Sequence, residues 1–268
     1  MPGHAKRIVE HLNQGKNRMK KLLKIAVSSL LIINSSAFAE TENLVKMVPE
    51  DCFADIESQD YCLQYQDSGL LGKTVKMQAY LKLYKFDYAD AQSIKDSYLQ
   101  FSDWADKSNA LEKDTVNFKF SYRLPEVVRD DITFIPSYMS YVSQAPAIIG
   151  GKLDVLGVSL TGEVAPWDID VNGELVKADA SMIYYLDNEA WENLPDGSNL
   201  AKPKGIVSHK GSLHVVSCEH TDICDVDSEW MIIYTAEVIP EVKIGSNLAA
   251  PFVSATVQHI LEGLFLNY

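Results

Sequence analysis

The C-terminal run of this chain limits its fold more than any other stretch. Over residues 229–239, Trp230, Ile232, Tyr234 and Ala236 share one parity, Pro240 ends the run, and Gly245-Ser246-Asn247 makes a loop. Residues 248–266 then carry Val253, Val257, Ile260, Leu261 and Leu264 on one broad face. Period 2 is the mark of a half-buried strand, and spacings of three and four are the mark of a helix. Pro251 falls where the first turn of such a helix tolerates a missing N–H. A helix this apolar must be covered, and the strands before it are the available cover.

Upstream, Val75, Met77, Ala79, Leu81 and Leu83 alternate with polar residues over 73–84, the pattern of a strand. From about 89 to 105 the period switches. Ile94, Tyr98 and Phe101 recur at helical spacing, and Asp87 or Asp90 stands where a cap belongs. Strands follow over 115–124, 131–142, 152–164, 177–186 and 205–217, separated mostly by short turn clusters, with Asp130-Asp131 reading as a solvated turn. The expectation is an α+β fold: a strongly curved seven-stranded antiparallel sheet gripping a long C-terminal helix. A sheet of that size with one wet face must curl or be covered.

This order of elements resembles the START-like helix-grip fold of the SRPBCC superfamily of lipid-transfer proteins and polyketide cyclases. The resemblance covers 72–268 and rests above all on residues 230–240 leading through a loop into 251–266. It implies a hydrophobic cavity between sheet and helix, and two helices after the first strand where periodicity shows one. Candidate ligand-binding residues in such a cleft are Trp230, Ile232 and Tyr234 on the last strand and Val253, Val257 and Ile260 on the helix. Tyr138 and Tyr184 offer hydroxyl handles on an apolar wall. Ala255 and Gly263 leave room for a guest. For each residue taken singly, ordinary core packing is the competing account.

Residues Met19 to Ala39 carry Lys20, Lys21 and Lys24, then an apolar run from Leu22 to Ile33, then Ala37-Phe38-Ala39. That is the sequence of a cleaved secretory signal, too short to span a bilayer as a helix. The first cysteine, Cys52, is far from the cleavage site, so no lipid anchor is expected. Residues 1–18 precede a better start at Met19. The expected division is 1–39 extension and signal peptide, 40–71 a disulfide-containing acidic leader, and 72–268 the helix-grip domain, periplasmic or secreted.

Past Ala39 the chain keeps 17 basic against 36 acidic residues, a net charge of −19. That argues against nucleic acid and anionic membrane surfaces as partners. All four cysteines lie in the exported part. Proximity favours Cys52–Cys62 and Cys218–Cys224, although three pairings are formally open.

Two motifs bear on metals. Asp168, Asp170, Asn172, Gly173 and Asp179 sit as D-x-D-x-N-G with an acid at the twelfth place, the pattern of a calcium loop. The same residues read as an Asn172-Gly173 hairpin, with Asp168 facing Lys177, Ile169 facing Val176 and Val171 facing Glu174. The hairpin is the preferred account and weak calcium binding the alternative. His209, His214 and His220 near Cys218, Asp222 and Asp225 form a second cluster, but His209 and His214 differ by an odd number and so face opposite sides of one strand. The spacing argues against zinc.

Gly157-Val158-Ser159-Leu160-Thr161 fails the nucleophile-elbow pattern, and the sequence holds no phosphate loop, dinucleotide fingerprint or HExxH. The functional expectation is an exported, non-enzymatic binder of a hydrophobic small molecule or lipid, without a resident cofactor. The alternatives are a cyclase- or hydrolase-like enzyme using the same cleft, or an acidic protein-interaction or inhibitor module.

Overall fold

The architecture comes from a computed structural model that describes residues 61–266 except 86, 112, 172–173, 188–201, 222–223 and 225–228. These belong to a unit spanning Leu44–Tyr268, separate from Met1–Asn43. The signal segment and Cys52 lie outside the described residues.

In chain order the described elements are β1 (Tyr61–Asp67), β2 (Val75–Tyr84), α1 (Ala91–Leu99), α2 (Trp104–Asn109), β3 (Val116–Arg123), β4 (Val127–Arg129) and β5 (Ile132–Gln144). They continue with β6 (Lys152–Val164), β7 (Asp168–Val171), β8 (Glu174–Lys177), β9 (Ala180–Leu186), β10 (Ile206–Ser217), β11 (Glu229–Pro240) and α3 (Ser246–Phe265). The main sheet runs β1-β2-β11-β10-β9-β6-β5-β3, with β4 also on β5. Every pairing in it is antiparallel.

One face of the sheet wraps α3. Val75, Leu81, Met182, Leu213, Val215, Ile232 and Ala236 point inward to meet Val257, Leu261 and Leu264 of the helix in a continuous core. Burying each such side chain contributes roughly 1.5–3 kcal/mol, which is what holds an otherwise water-shunning helix in place. α1 and α2 close one side. Asp90 caps α1 by accepting from the Ser93 amide at 2.7 Å, and Lys95, buried on α1, reaches Glu163 of β6 at 2.6 Å. α2 lies close to α3: a Cβ on Gly263 would sit 2.8 Å from Ser108 Cα, and the His259 Nε2–H donates to the Ser108 carbonyl at 2.9 Å.

The described elements run two strands, two short helices, a series of antiparallel strands and a closing helix, and so give the expected α+β arrangement of an antiparallel sheet against a long C-terminal helix. The sheet has nine strands, not seven. Tyr61–Asp67, assigned from sequence to the leader, is an edge strand on β2. Its polar Gln64, Gln66 and Asp67 masked the inward parity of Tyr61 and Leu63. The single helix expected over 89–105 is two, broken by a 3-10 turn at Phe101–Asp103. The last helix begins at Ser246, so Pro251 lies in its second turn and not its first, leaving the Asn247 carbonyl without an i+4 partner.

The back of the sheet is also covered. The β7–β8 hairpin forms in the expected register, Asp168↔Lys177, Ile169↔Val176 and Val171↔Glu174. Ile169 and Val176 pack on Tyr80, Val216, Met231 and Ile233. Cys218–Cys224 is a disulfide on the same side, with Cα atoms 5.2 Å apart. Cys62 is disulfide-bonded as well. Asp130 and Asp131 both adopt positive φ (50° and 64°) between β4 and β5, a two-residue hairpin turn.

Candidate functional site

The concave face of the sheet and α3 do not fill the space between them. A cavity of about 100 Å³ remains, walled by β5, β6, β9, β10, β11 and the inner face of α3, with Tyr98 and Trp104 at one side. At 10–15 Å³ per water position, this is room for about seven to ten waters, or a small organic molecule or single acyl chain. It falls below the roughly 300–1,000 Å³ of a site that swallows a drug-sized ligand whole. Among the described residues no Asp, Glu, Lys or Arg lines it.

Ser143, Gln144, Ser159 and Thr256 contribute scattered polar groups to its wall, and one cluster of rings stands out. Tyr184 on β9 and Tyr234 on β11 stack with centroids 5.3 Å apart, and Tyr184 meets the His209 ring edge-on at 5.0 Å. Tyr234 Oη lies 3.3 Å from His209 Nε2. Gly211 on β10 makes the arrangement possible. It stands opposite both Tyr184 and Ala236 in the sheet, and the Tyr184 ring crosses over it to donate to the Thr235 carbonyl. A Cβ at 211 would collide with the Tyr184 hydroxyl and the Thr235 carbonyl.

Burial fixes the charge state of these groups. Desolvation pushes His209 down to about 4 and so keeps the imidazole neutral. The same cause drives the Tyr98, Tyr141, Tyr184 and Tyr234 phenols upward, well away from ionisation. His209 is half-buried by accessible area and lines the void.

Of the residues singled out from sequence, Tyr184, Tyr234, Val253, Val257 and Ile260 line the cavity. Trp230 and Ile232 share the inner face but lie outside the lining: Ile232 is core, and Trp230 Nε1 donates to the Tyr88 carbonyl at 3.1 Å. Tyr138 is on the opposite face, packed with Phe120 and Tyr122. Its parity is opposite to that of Met139 and Tyr141, which do line the void. Gly263 leaves room for α2 rather than for a guest, and Ala255 does not border the cavity.

His209, read from the sequence only as a metal ligand, lines the cavity too, as do Tyr141 and three residues not expected there, Tyr98, Trp104 and Phe252. The signal for His209 was its parity with the inward Leu213 and Val215. His214, on the other face, bonds Ser181 Oγ and Ser212 Oγ at 2.9 Å each and stacks near Trp167, so the two histidines do diverge. The side chain of His220, with Asp222 and Asp225, lies outside the described residues. In the calcium motif, Asn172, Gly173 and the Asp170 side chain lie outside them too, and Asp179 Oδ2 accepts from the Ser217 amide at 2.7 Å. Among the described residues no group of three or more His, Cys, Asp or Glu is placed to hold a metal.

No family model matches the sequence, and no curated protein matches it. Among solved structures, human STARD10 matches at 12% sequence identity with a TM-score of 0.41, over 83% of this chain and 82% of that one.

Proposed function

We propose that this protein is an exported, non-enzymatic binder of a hydrophobic small molecule or of a single lipid chain, held between the concave sheet and α3. The observation that carries the reading is the void itself: an uncharged, largely carbon-lined cavity of about 100 Å³ where a soluble core would close up. Export is supported by the Met19–Ala39 signal pattern, and the Cys218–Cys224 disulfide suits an oxidising compartment.

A reaction in the same cleft is the second reading, favoured by the clustering of His209, Tyr184 and Tyr234. The direction of their shifts speaks against it. General acid–base work at neutral pH wants groups poised near 7, whereas this histidine is too weak a base and these phenols too weak as acids.

Native mass spectrometry of the protein, purified from its compartment without detergent, tests the binding reading. A guest retained one per chain supports it. A chain that is always empty and takes up no added apolar molecule overturns it.

A further inference from the structure

We propose that His209 and Tyr234 form a head-group subsite that selects uncharged ligands bearing a hydroxyl or carbonyl and rejects carboxylates. This rests on the reading of the cavity as a binding site and names the class of guest it takes.

An isolated carboxylate or ammonium taken out of water needs an opposite charge or several strong hydrogen bonds. No charged side chain lines this void among the described residues. The imidazole that would have to supply a positive charge is held neutral by its surroundings, and the phenols around it stay protonated. An anionic head group therefore finds no partner of opposite sign.

The Tyr184 hydroxyl is committed to the Thr235 carbonyl. Tyr234 Oη and His209 Nε2 share one long contact of 3.3 Å. Each ring keeps further capacity after that bond: the second imidazole nitrogen, and on the phenol whatever its hydrogen bond with Tyr184 leaves. Together they offer one donor and one acceptor at the edge of an apolar slot. A ligand hydroxyl pairs with either one and a carbonyl with the donor; the free imidazole nitrogen and the phenol lie on opposite sides of the ring, so one ligand atom meets one of them. The pair sits on adjacent strands, held by the Tyr184 stack, so its geometry is set before a guest arrives.

The test uses the signal-processed chain at pH 7.5 and three probes of equal length, 1-octanol, octanoate and octane, displacing a small neutral fluorophore. The alcohol is expected to displace at about a hundredfold lower concentration than the carboxylate, given the penalty for burying an unpaired charge. His209→Phe is expected to weaken octanol by roughly three- to tenfold, the value of one neutral hydrogen bond, and to leave octane unchanged. Retained octane binding shows that the variant is folded. If His209→Phe also loses octane, Tyr234→Phe removes only a hydroxyl and is expected to give the same selective loss. Octanol and octanoate binding within threefold of each other would place the head group in water and overturn the subsite, while leaving the cavity reading standing. So would octanol binding that neither variant weakens. Failure of all three probes to displace the fluorophore would overturn the cavity reading and the subsite with it.

Discussion

The Tyr184 hydroxyl reaches the Thr235 carbonyl by passing over Gly211, the one residue between them that lacks a side chain to obstruct it. That crossing sets the stacked pair of Tyr184 and Tyr234 and the pose of His209 beneath it. Gly211→Ala forces Tyr184 aside. The expected loss is about 1–3 kcal/mol from overpacking a filled spot. Melting followed by circular dichroism should fall by roughly 2–12 °C on that basis. A variant as stable as the parent would show that the crossing carries no strain.

Acid should weaken the fold early. Burial pushes both His209 and His214 down to about 4, from an ordinary 6.5. The unfolded chain takes up those protons first, so stability is complete above about pH 6.5, declines as pH falls towards 4, and changes no further below that on their account. Most carboxylates are still ionised at pH 5, so the interval from 6.5 to 5 isolates the histidines. The expected loss there is about 2 kcal/mol for each, at 1.4 kcal/mol per unit. Melts at pH 7.5 and 5.0 check this, and His209→Phe should remove its share of the difference, the rest staying with His214 and with His259, whose burial also pushes it down. A melting temperature flat across that range would contradict the burial of both rings.

The hairpin on the back of the sheet holds by packing rather than by an ion. Ile169 is 2% exposed and sits in a cluster with Val216, Met231 and Ile233. Ile169→Ala is expected to cost about 2–4 kcal/mol, measured by denaturant unfolding. The Asp179 carboxylate already serves the Ser217 amide, and Asp168 stands opposite Lys177 in the register. Millimolar calcium should therefore move the melting temperature by less than about one degree, whereas a rise of several degrees would establish a calcium loop at 168–179.

The disulfide at Cys218–Cys224 closes a short loop, with six residues of sequence separation. In the chain-entropy account a loop this small is worth about 2 kcal/mol. Cys218→Ser with Cys224→Ser should lower stability by that amount and leave the cavity's ligand affinity unchanged, because the bridge lies on the convex side. Loss of binding would tie the two faces together.

What was legible in the sequence was what period and turn chemistry decide locally. The Asn172-Gly173 dipeptide set the hairpin register to the residue, and the parity of Trp230, Ile232, Tyr234 and Ala236 placed them on the face that meets α3. What was hidden depended on knowing which face is concave. This sheet carries an apolar cover on both sides, so Tyr138 and Tyr141 look alike in sequence and end on opposite faces. Gly263 looked like space and serves a helix crossing. His209 looked like half of a metal pair because nothing local says that the strand beside it bears two tyrosines at its height. Tyr61–Asp67 was lost for a simpler reason. An edge strand is paired on one side only and tolerates the polar residues that disguise it.

Titration of the cavity by a small neutral fluorophore, in the parent protein and in Val257→Trp, tests the central claim most directly. Val257 lines the void from α3, and an indole there should occupy it. The account predicts one saturable site per chain in the parent and none in the variant, with both proteins melting cooperatively. Saturable binding that survives the filled cavity, or no binding to the parent at all, would contradict it.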